Sequence, residues 1–283
     1  MTEQRRQKLN QLQQSLPEGL LADAAWLKEK GYSSALRSQY VSAGWLDQPA
    51  RGVYRRPSGK LQWQHVLISV QTLLKMPVIA GGRTALELQG FAHYLPLGGM
   101  QEVHLYGDGS LPSWVHKLKL DIRFVFHNAR KLFREERIGW ALGSGNRNIQ
   151  AQSIPSNASI QGSLTRQAWG HWDWLLVLST PERAILELLD EVPQKETFHQ
   201  AEMLMGGLRT LRPSRLQRLL EDCRSVKVKR LFLWFAERHG FRWLSKIKRE
   251  CIDLGKGKRM LVRGGKLDSK FLITVPEDMN DRG

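Results

Sequence analysis

The sequence predicts an α+β protein, with a small helical N-terminal unit over residues 1–57 and a larger region over 58–283. The larger region reads as mixed α/β to about residue 180, mainly helical to about 255, and closed by a β-hairpin. Two observations predict this, and a third bears on partners rather than on fold. Apolar residues recur at helical spacing near the N-terminus and again from Thr180 onward. Between them lie short β-branched and aromatic runs with strand character, at Val78–Ala80, Val103–Tyr106, Ile122–Phe126 and Leu175–Leu178. Positive charge gathers at the two ends: residues 1–56 hold 9 basic and 5 acidic side chains, 57–204 hold 14 and 13, and 205–283 hold 20 and 9.

The first element is a polar helix over Gln4–Ser15, with Leu9, Leu12 and Leu16 along one side and Pro17 ending it. A second helix over Leu21–Lys30 carries Leu20, Ala24 and Leu27 on one stripe, and Gly31 breaks it. Ser33 or Ser34 then caps a third helix over Ser33–Ala43. Gly44 ends that helix in the left-handed conformation that glycine adopts cheaply. Leu36, Tyr40 and Ala43 share its inward face, leaving Ser34, Arg37 and Ser38 outward. Trp45–Leu46 and Val53–Arg55 read as two short strands joined by the loop Asp47–Gly52, with Arg51, Arg55 and Arg56 at or beside its tip.

Three helices and a basic strand pair make a winged helix-turn-helix, which points to double-stranded DNA as the leading partner. An α-helix fits the major groove, where an arginine donates two hydrogen bonds to guanine, and arginines on a wing suit phosphate or minor-groove contacts. The DNA-binding candidates are Ser33, Ser34, Arg37, Ser38, Arg51, Arg55 and Arg56. The competing reading is a helical hairpin with a strand pair that touches no nucleic acid.

After a linker at Pro57–Lys60, Trp63–Leu74 has helical spacing through Trp63, Val66, Leu67, Val70 and Leu74. The strand Val78–Ala80, a Gly-Gly turn and a helix from about Arg83 to Phe91 follow. The segment STPERAILELLDEVP places Thr180 as N-cap, Pro181 at the first helical position, and Glu182 near the positive end of the helix dipole. Ile185, Leu186, Leu188 and Leu189 form its core face. Further helices read at Thr197–Leu208, Pro213–Cys223 and Val226–His239. The last turns Leu231, Phe232, Trp234 and Phe235 inward and leaves Lys227, Lys229, Arg230 and Arg238 outside. Arg259–Val262 and Lys270–Val275, joined through Gly264–Gly265, read as the closing hairpin.

Composition bounds the function. A chain of 283 residues with 41% hydrophobic and 8% aromatic content folds around a substantial core, and a formal charge of +16 favours polyanionic partners. The C-terminal excess defines a candidate second basic face at Lys227, Lys229, Arg230 and Arg238, against the alternative of a solvated helical surface. Trp234, Phe235 and Trp243 interleave with these charges and suit base stacking, but their spacing favours core packing. No run of about 18 apolar residues occurs, and the N-terminus lacks the apolar core of a secretory signal, so the expected location is the cytoplasm with no membrane contact.

Cys223 and Cys251 form no CxxC pair and are expected to be reduced packing residues. The histidines show no HxxxH and no Cys/His ligand set, so neither metal nor cofactor is expected. GGRTAL superficially resembles the glycine-rich start of nucleotidyltransferase sites, which need a Gly-Ser followed by paired carboxylates for Mg²⁺. Here Asp121–Ile122–Arg123 puts an arginine where the second carboxylate belongs, and Gly143–Ser144 leads into Gly145–Asn146–Arg147. No P-loop or kinase signature occurs either, and no catalytic residue is assigned.

Five blocks stand in order along the chain: LKEKGYSSALRSQYVSAGWLDQPARGVYRRP, GGRTALELQGFAHYLP, STPERAILELLDEVP, VKVKRLFLWFAERHG and GKGKRMLVRGGKLDSKFLITVP. Together they resemble the AbiEi family, the antitoxins of type IV AbiE toxin–antitoxin systems. The resemblance implies an N-terminal winged helix-turn-helix that represses its own operon through Ser33–Ala43 and Arg51, Arg55 and Arg56. It also implies a C-terminal antitoxin region that counteracts a nucleotidyltransferase toxin encoded nearby, in systems linked to phage defence. A stable complex with the toxin is not implied, and RNA is a further candidate partner. The alternatives are a DNA-binding regulator without antitoxin activity and an enzyme that modifies the toxin. No dimer interface is legible.

Overall fold

The computed structural model describes residues 3–91, 100–138, 162–170 and 174–279. The segment Gly143–Arg147 lies outside them.

Helix α1 spans Glu3–Ser15 and buries Leu9, Leu12 and, just past its end, Leu16. The chain then forms strand β1, Leu21–Asp23, before α2, Ala24–Glu29. The expected helix from Leu21 therefore starts three residues late. The Asp23 carboxylate accepts from the Trp26 amide at 2.8 Å and caps α2 there, and Leu21–Asp23 instead pairs antiparallel with Val53–Arg55. Helix α3 spans Ser34–Ser42 with Ser33 as its cap, the Leu36 amide donating to Ser33 Oγ at 3.3 Å. Strands β2, Asp47–Ala50, and β3, Val53–Arg55, complete a three-stranded sheet of order β1-β3-β2. Trp45 and Leu46 are not in a strand. Both amides bond the Tyr40 carbonyl and prolong the end of α3, where Gly44 has φ +73°.

Helix α4, Trp63–Thr72, joins this unit to the rest. Almost every residue from Trp63 to Val70 is buried. A central five-stranded sheet contains β4 (Val78–Ala80), β5 (Glu102–Gly107), β6 (Arg123–Asn128), β7 (Leu164–Trp169) and β8 (Trp174–Ser179), in the order β6-β5-β4-β8-β7. β4 runs antiparallel to β5 and parallel to β8, while β5 and β6 are parallel and β7 and β8 antiparallel. Strand β7 had no sequence signal. It is an edge strand of sequence LTRQAW whose residues after Leu164 are only partly buried, so no apolar run marks it.

On one side α4 touches the winged unit, where Ser69 Oγ accepts from the Leu21 amide at 2.8 Å. On the other it meets the sheet, with the His65 ring edge-on to Trp169 at 4.8 Å and to Trp174 at 5.7 Å.

Helix α5 spans Gly82–Leu88 and α6 spans Pro181–Asp190, buried from Glu182 to Leu189. Thr180 has N-cap backbone geometry, but its hydroxyl makes no capping hydrogen bond. Helices α7 (Phe198–Gly206), α8 (Pro213–Asp222) and α9 (Val226–Arg238) form the helical part. The closing hairpin pairs β9, Lys266–Asp268, with β10, Ile273–Val275. Arg259–Val262 is not its first strand: Arg259 makes a single parallel bridge to Ile273, and the Leu261 and Val262 amides bond the Thr274 hydroxyl. Of the cysteines, Cys223 is buried, with burial pushing its thiol up to about 11, whereas Cys251 is exposed rather than packed. Among the described residues no helix is long and apolar enough to cross a membrane.

Candidate nucleic-acid interface

Helix α3 turns Tyr40 into the core, with Leu36 and Val41 packed against it. Successive residues rotate by about 100° around a helix, so the opposite face carries Ser34, Ala35, Ser38, Gln39 and Ser42, all exposed. Ala43, expected inward, is exposed as well. Ser33 is exposed, but its hydroxyl is engaged as the helix cap.

Arg37 does not stand on the outward face. Its Nη1 donates to the carbonyls of Ala24 at 2.9 Å and Tyr32 at 3.3 Å, and its guanidinium lies 5.5 Å from the Tyr54 ring centre. It therefore ties α3 to α2 and β3. The solvent face is uncharged and short, with one longer polar side chain, Gln39. Glutamine makes paired hydrogen bonds to adenine, serine bonds any base edge, and alanine packs on the thymine methyl.

The wing turns at Arg51–Gly52, where Gly52 has φ +77°. The Gly52 carbonyl accepts from the Ala24 amide at 2.8 Å and fixes the turn against the start of α2. Arg51 is exposed at the tip. The other two expected wing cations are occupied within the fold. Arg55, with 12% of its side chain exposed, pairs with Asp47 at 3.2 Å and donates to the carbonyls of Ser58 and Gly59. Arg56 donates to the carbonyls of Gln13 and Leu16 and closes β3 onto α1.

The expected second basic face does not form on α9, because neighbouring segments cover the helix. Lys229 and Arg230 are each 2% exposed. Lys227 Nζ donates to the carbonyls of Asp190 and Val192, and Arg238 pairs with Glu202 at 3.2 Å and covers Trp234. Arg230 donates to the carbonyls of Leu254, Gly255, Gly257 and Leu272. Trp234, Phe235 and Trp243 are buried in the core. The exposed C-terminal cations lie off this helix, at Arg209, Arg218, Arg242, Lys246 and Lys248 among others and in the segment after Asp253.

The Gly-Gly pair ahead of α5 is filled by the chain itself. The Gly82 amide donates to Glu187 Oε2 at 2.9 Å, and the same carboxylate accepts from Ser179 Oγ and Arg183 Nε at 2.7 Å each. A Cβ at Gly81 would run into Glu187 Oε2 and the Tyr106 ring. This is a packed junction, with a carboxylate standing where a phosphate would need to enter.

A second polar cluster links β5, β6 and the α6–α7 connection. His104 Nδ1 and His127 Nε2 lie 3.0 Å apart, His127 Nδ1 is 3.1 Å from Glu191, and Glu191 pairs with Lys195 at 2.9 Å. Burial, then the neighbouring His127, brings His104 down to about 4. Burial raises the Glu191 carboxyl, but hydrogen bonds from His127 and Lys195 outweigh it and hold the group at about 2.

An exposed polar helix behind a three-stranded wing, fused through α4 to a mixed sheet with a helical flank, defines a winged-helix protein with a large companion region. Two family models match it. One, described as transcriptional regulator, AbiEi antitoxin N-terminal domain, takes in residues 5–97. The other, described as transcriptional regulator, AbiEi antitoxin, type IV toxin–antitoxin system, takes in residues 100–276. The chain belongs to the AbiEi family of type IV antitoxin transcriptional regulators. Its fold is similar to that in the crystal structure of the RV2827C protein from Mycobacterium tuberculosis, with a TM-score of 0.55 and 12% identity over 96% of this chain and 91% of that one. That likeness concerns the fold alone. No curated protein matches.

Proposed function

We propose that this chain represses its own operon by binding double-stranded DNA through the exposed face of α3 and the tip of the wing, and that it counteracts a nucleotidyltransferase toxin encoded nearby. The observation that carries the DNA-binding half is the face Ser34, Ala35, Ser38, Gln39 and Ser42, exposed along one side of a helix whose other side is anchored by Arg37 and Tyr40. Helices presented in this way enter the major groove, and short polar side chains let the backbone approach base edges closely. Ser34, Ser38, Gln39 and Ser42 read bases in this account. Arg51 meets phosphate or the minor groove, and Arg37, Arg55 and Arg56 position the reader without touching DNA. The antitoxin half rests on family membership and falls to residues 57–283, with no stable toxin complex required and no catalytic step assigned.

The test is a pair of assays on the full-length chain. Retention of operator and scrambled duplexes is compared for the native chain and for Gln39→Ala combined with Arg51→Ala. Growth is then followed in cells expressing the adjacent toxin with each version from an unrelated promoter. Loss of operator retention with rescue preserved supports both halves. Undiminished operator binding by the double variant overturns the assigned interface, and absence of rescue by soluble native protein overturns the antitoxin role.

A further inference from the structure

Part of the C-terminal charge excess lies in one strap. Between Asp253 and Asp268 the chain carries Lys256, Lys258, Arg259, Arg263 and Lys266 and no acidic residue, and all five cations are exposed. The strap is held rigidly. The buried Arg230 guanidinium bonds the carbonyls of Leu254, Gly255 and Gly257 on one side and Leu272 on the other, fixing it against α9.

Where the strap crosses the start of α9, it borders an open groove of about 540 Å³ lined by the cations Arg224, Lys227, Lys258 and Arg259 and by Val226, Met260 and Leu261. No carboxylate lines it. Lys227 is already engaged, with its ammonium on the carbonyls of Asp190 and Val192 and 3.7 Å from the Asp190 carboxylate. Arg224, Lys258 and Arg259 make no ion pair among the described residues, unlike Arg238, Arg249 and Lys270 nearby. Burial first and the charge of Arg259 second lower the pKa of Arg230, and among the described residues no carboxylate pairs with it.

We propose that this groove binds a compact polyphosphate of the nucleoside-triphosphate class. Three cations without an ion pair among the described residues line one groove, and adjacent phosphates suit them, since arginine forks grip phosphate through paired charge-assisted hydrogen bonds. The volume falls within the roughly 300–1,000 Å³ range of small-ligand sites. Met260, 74% exposed, together with Leu261 and Val226, supplies an apolar wall on which a base can rest. A duplex strings its phosphates along a rod, whereas a compact polyphosphate gathers them within the span of one groove.

The test is calorimetric titration of the full-length chain with ATP, with inorganic triphosphate, and with adenosine as the uncharged comparison. Lys258→Ala with Arg259→Ala, and separately Arg224→Ala, should weaken both triphosphates by about tenfold or more. Arg209→Ala with Arg242→Ala removes the same charge from exposed positions outside the groove and should change binding by less than about twofold. The proposal fails if the native chain binds neither triphosphate saturably. It also fails if both double variants lose affinity equally, or if the groove variants reduce only duplex DNA retention. Failure to bind triphosphate leaves the operator-binding reading of α3 untouched, whereas loss of duplex retention alone in the groove variants would make the groove part of the DNA interface.

Discussion

Arg37 Nη1 donates to the Ala24 carbonyl at 2.9 Å, across the turn that separates α2 from α3. A residue whose charge and position suit base reading thus sets the angle of the helix that would do the reading. Arg37→Ala removes the hydrogen bonds to the carbonyls of Ala24 and Tyr32 and the cation beside Tyr54. The expected cost is about 1–3 kcal/mol in denaturant unfolding, with operator and scrambled DNA weakened alike. Native stability combined with a changed preference at one base would return Arg37 to the reading face.

Gln39→Ala and Arg51→Ala should separate specificity from affinity. Both residues are exposed, so stability should stay within about 0.5 kcal/mol. Loss of the Gln39 amide should relax discrimination at one position by about 1–3 kcal/mol, measured by competition with single-base variants of the operator. Loss of Arg51 should weaken every sequence and lower the salt slope by about 1. Identical behaviour of the two variants would contradict this division of labour.

Gly81→Ala tests the junction at α5. The added methyl meets Glu187 Oε2 and Tyr106, and the carboxylate has no room to swing because Ser179, Arg183 and the Gly82 amide hold it. Overpacking of this kind costs about 1–3 kcal/mol or more, read as a lowered thermal midpoint. A midpoint matching the native chain would show that the junction yields.

Acid should destabilise the protein in two overlapping steps. Folding lowers His104 from 6.5 to about 4, so between these values the unfolded chain takes up a proton that the folded chain refuses, and stability falls as pH drops through that window. Folding lowers Glu191 from 4.5 to about 2, so its contribution is complete above 4.5 and is lost as pH falls toward 2. The charged groups facing His104 are Glu102, Glu191 and Arg83, with His127 stacked on it. Urea unfolding from pH 7 to 3 should show the decline, and His104→Gln should flatten it between 6.5 and 4 by at most about 3 kcal/mol. An unchanged profile in that variant would place the acid sensitivity elsewhere.

Legibility followed the range of the interactions involved. Helices α1 and α6 stood out because Leu9, Leu12 and Leu16, or Thr180 followed by Pro181, state their case within a few residues. β1 did not, since Leu20, Ala24 and Leu27 fit helical spacing equally well and its strand partner Tyr54 lies far along the chain. The Asp23 cap was the available signal. Gln39 and Ser42 follow from the same 100° rotation that places Ser38 outward, whereas the charge of Arg37 suits base reading without showing which way its side chain turns. The carbonyls that claim Arg37, Arg55, Arg56 and Arg230 exist as acceptors only once the fold brings them near, and a cation's identity does not reveal which way it turns.

The hydroxyl of Ser69, taking the Leu21 amide while its helix carries His65 against Trp169, makes one buried rod common to two bodies. The winged unit is therefore no exchangeable cassette. Severed after the wing, it would leave Leu21 without its acceptor and strip a hydrophobic face from what remains. A change to the winged unit that kept the rest would have to preserve this seam, which leaves the side chains of α3 and the wing tip that face away from it as the ones free to change without disturbing the junction.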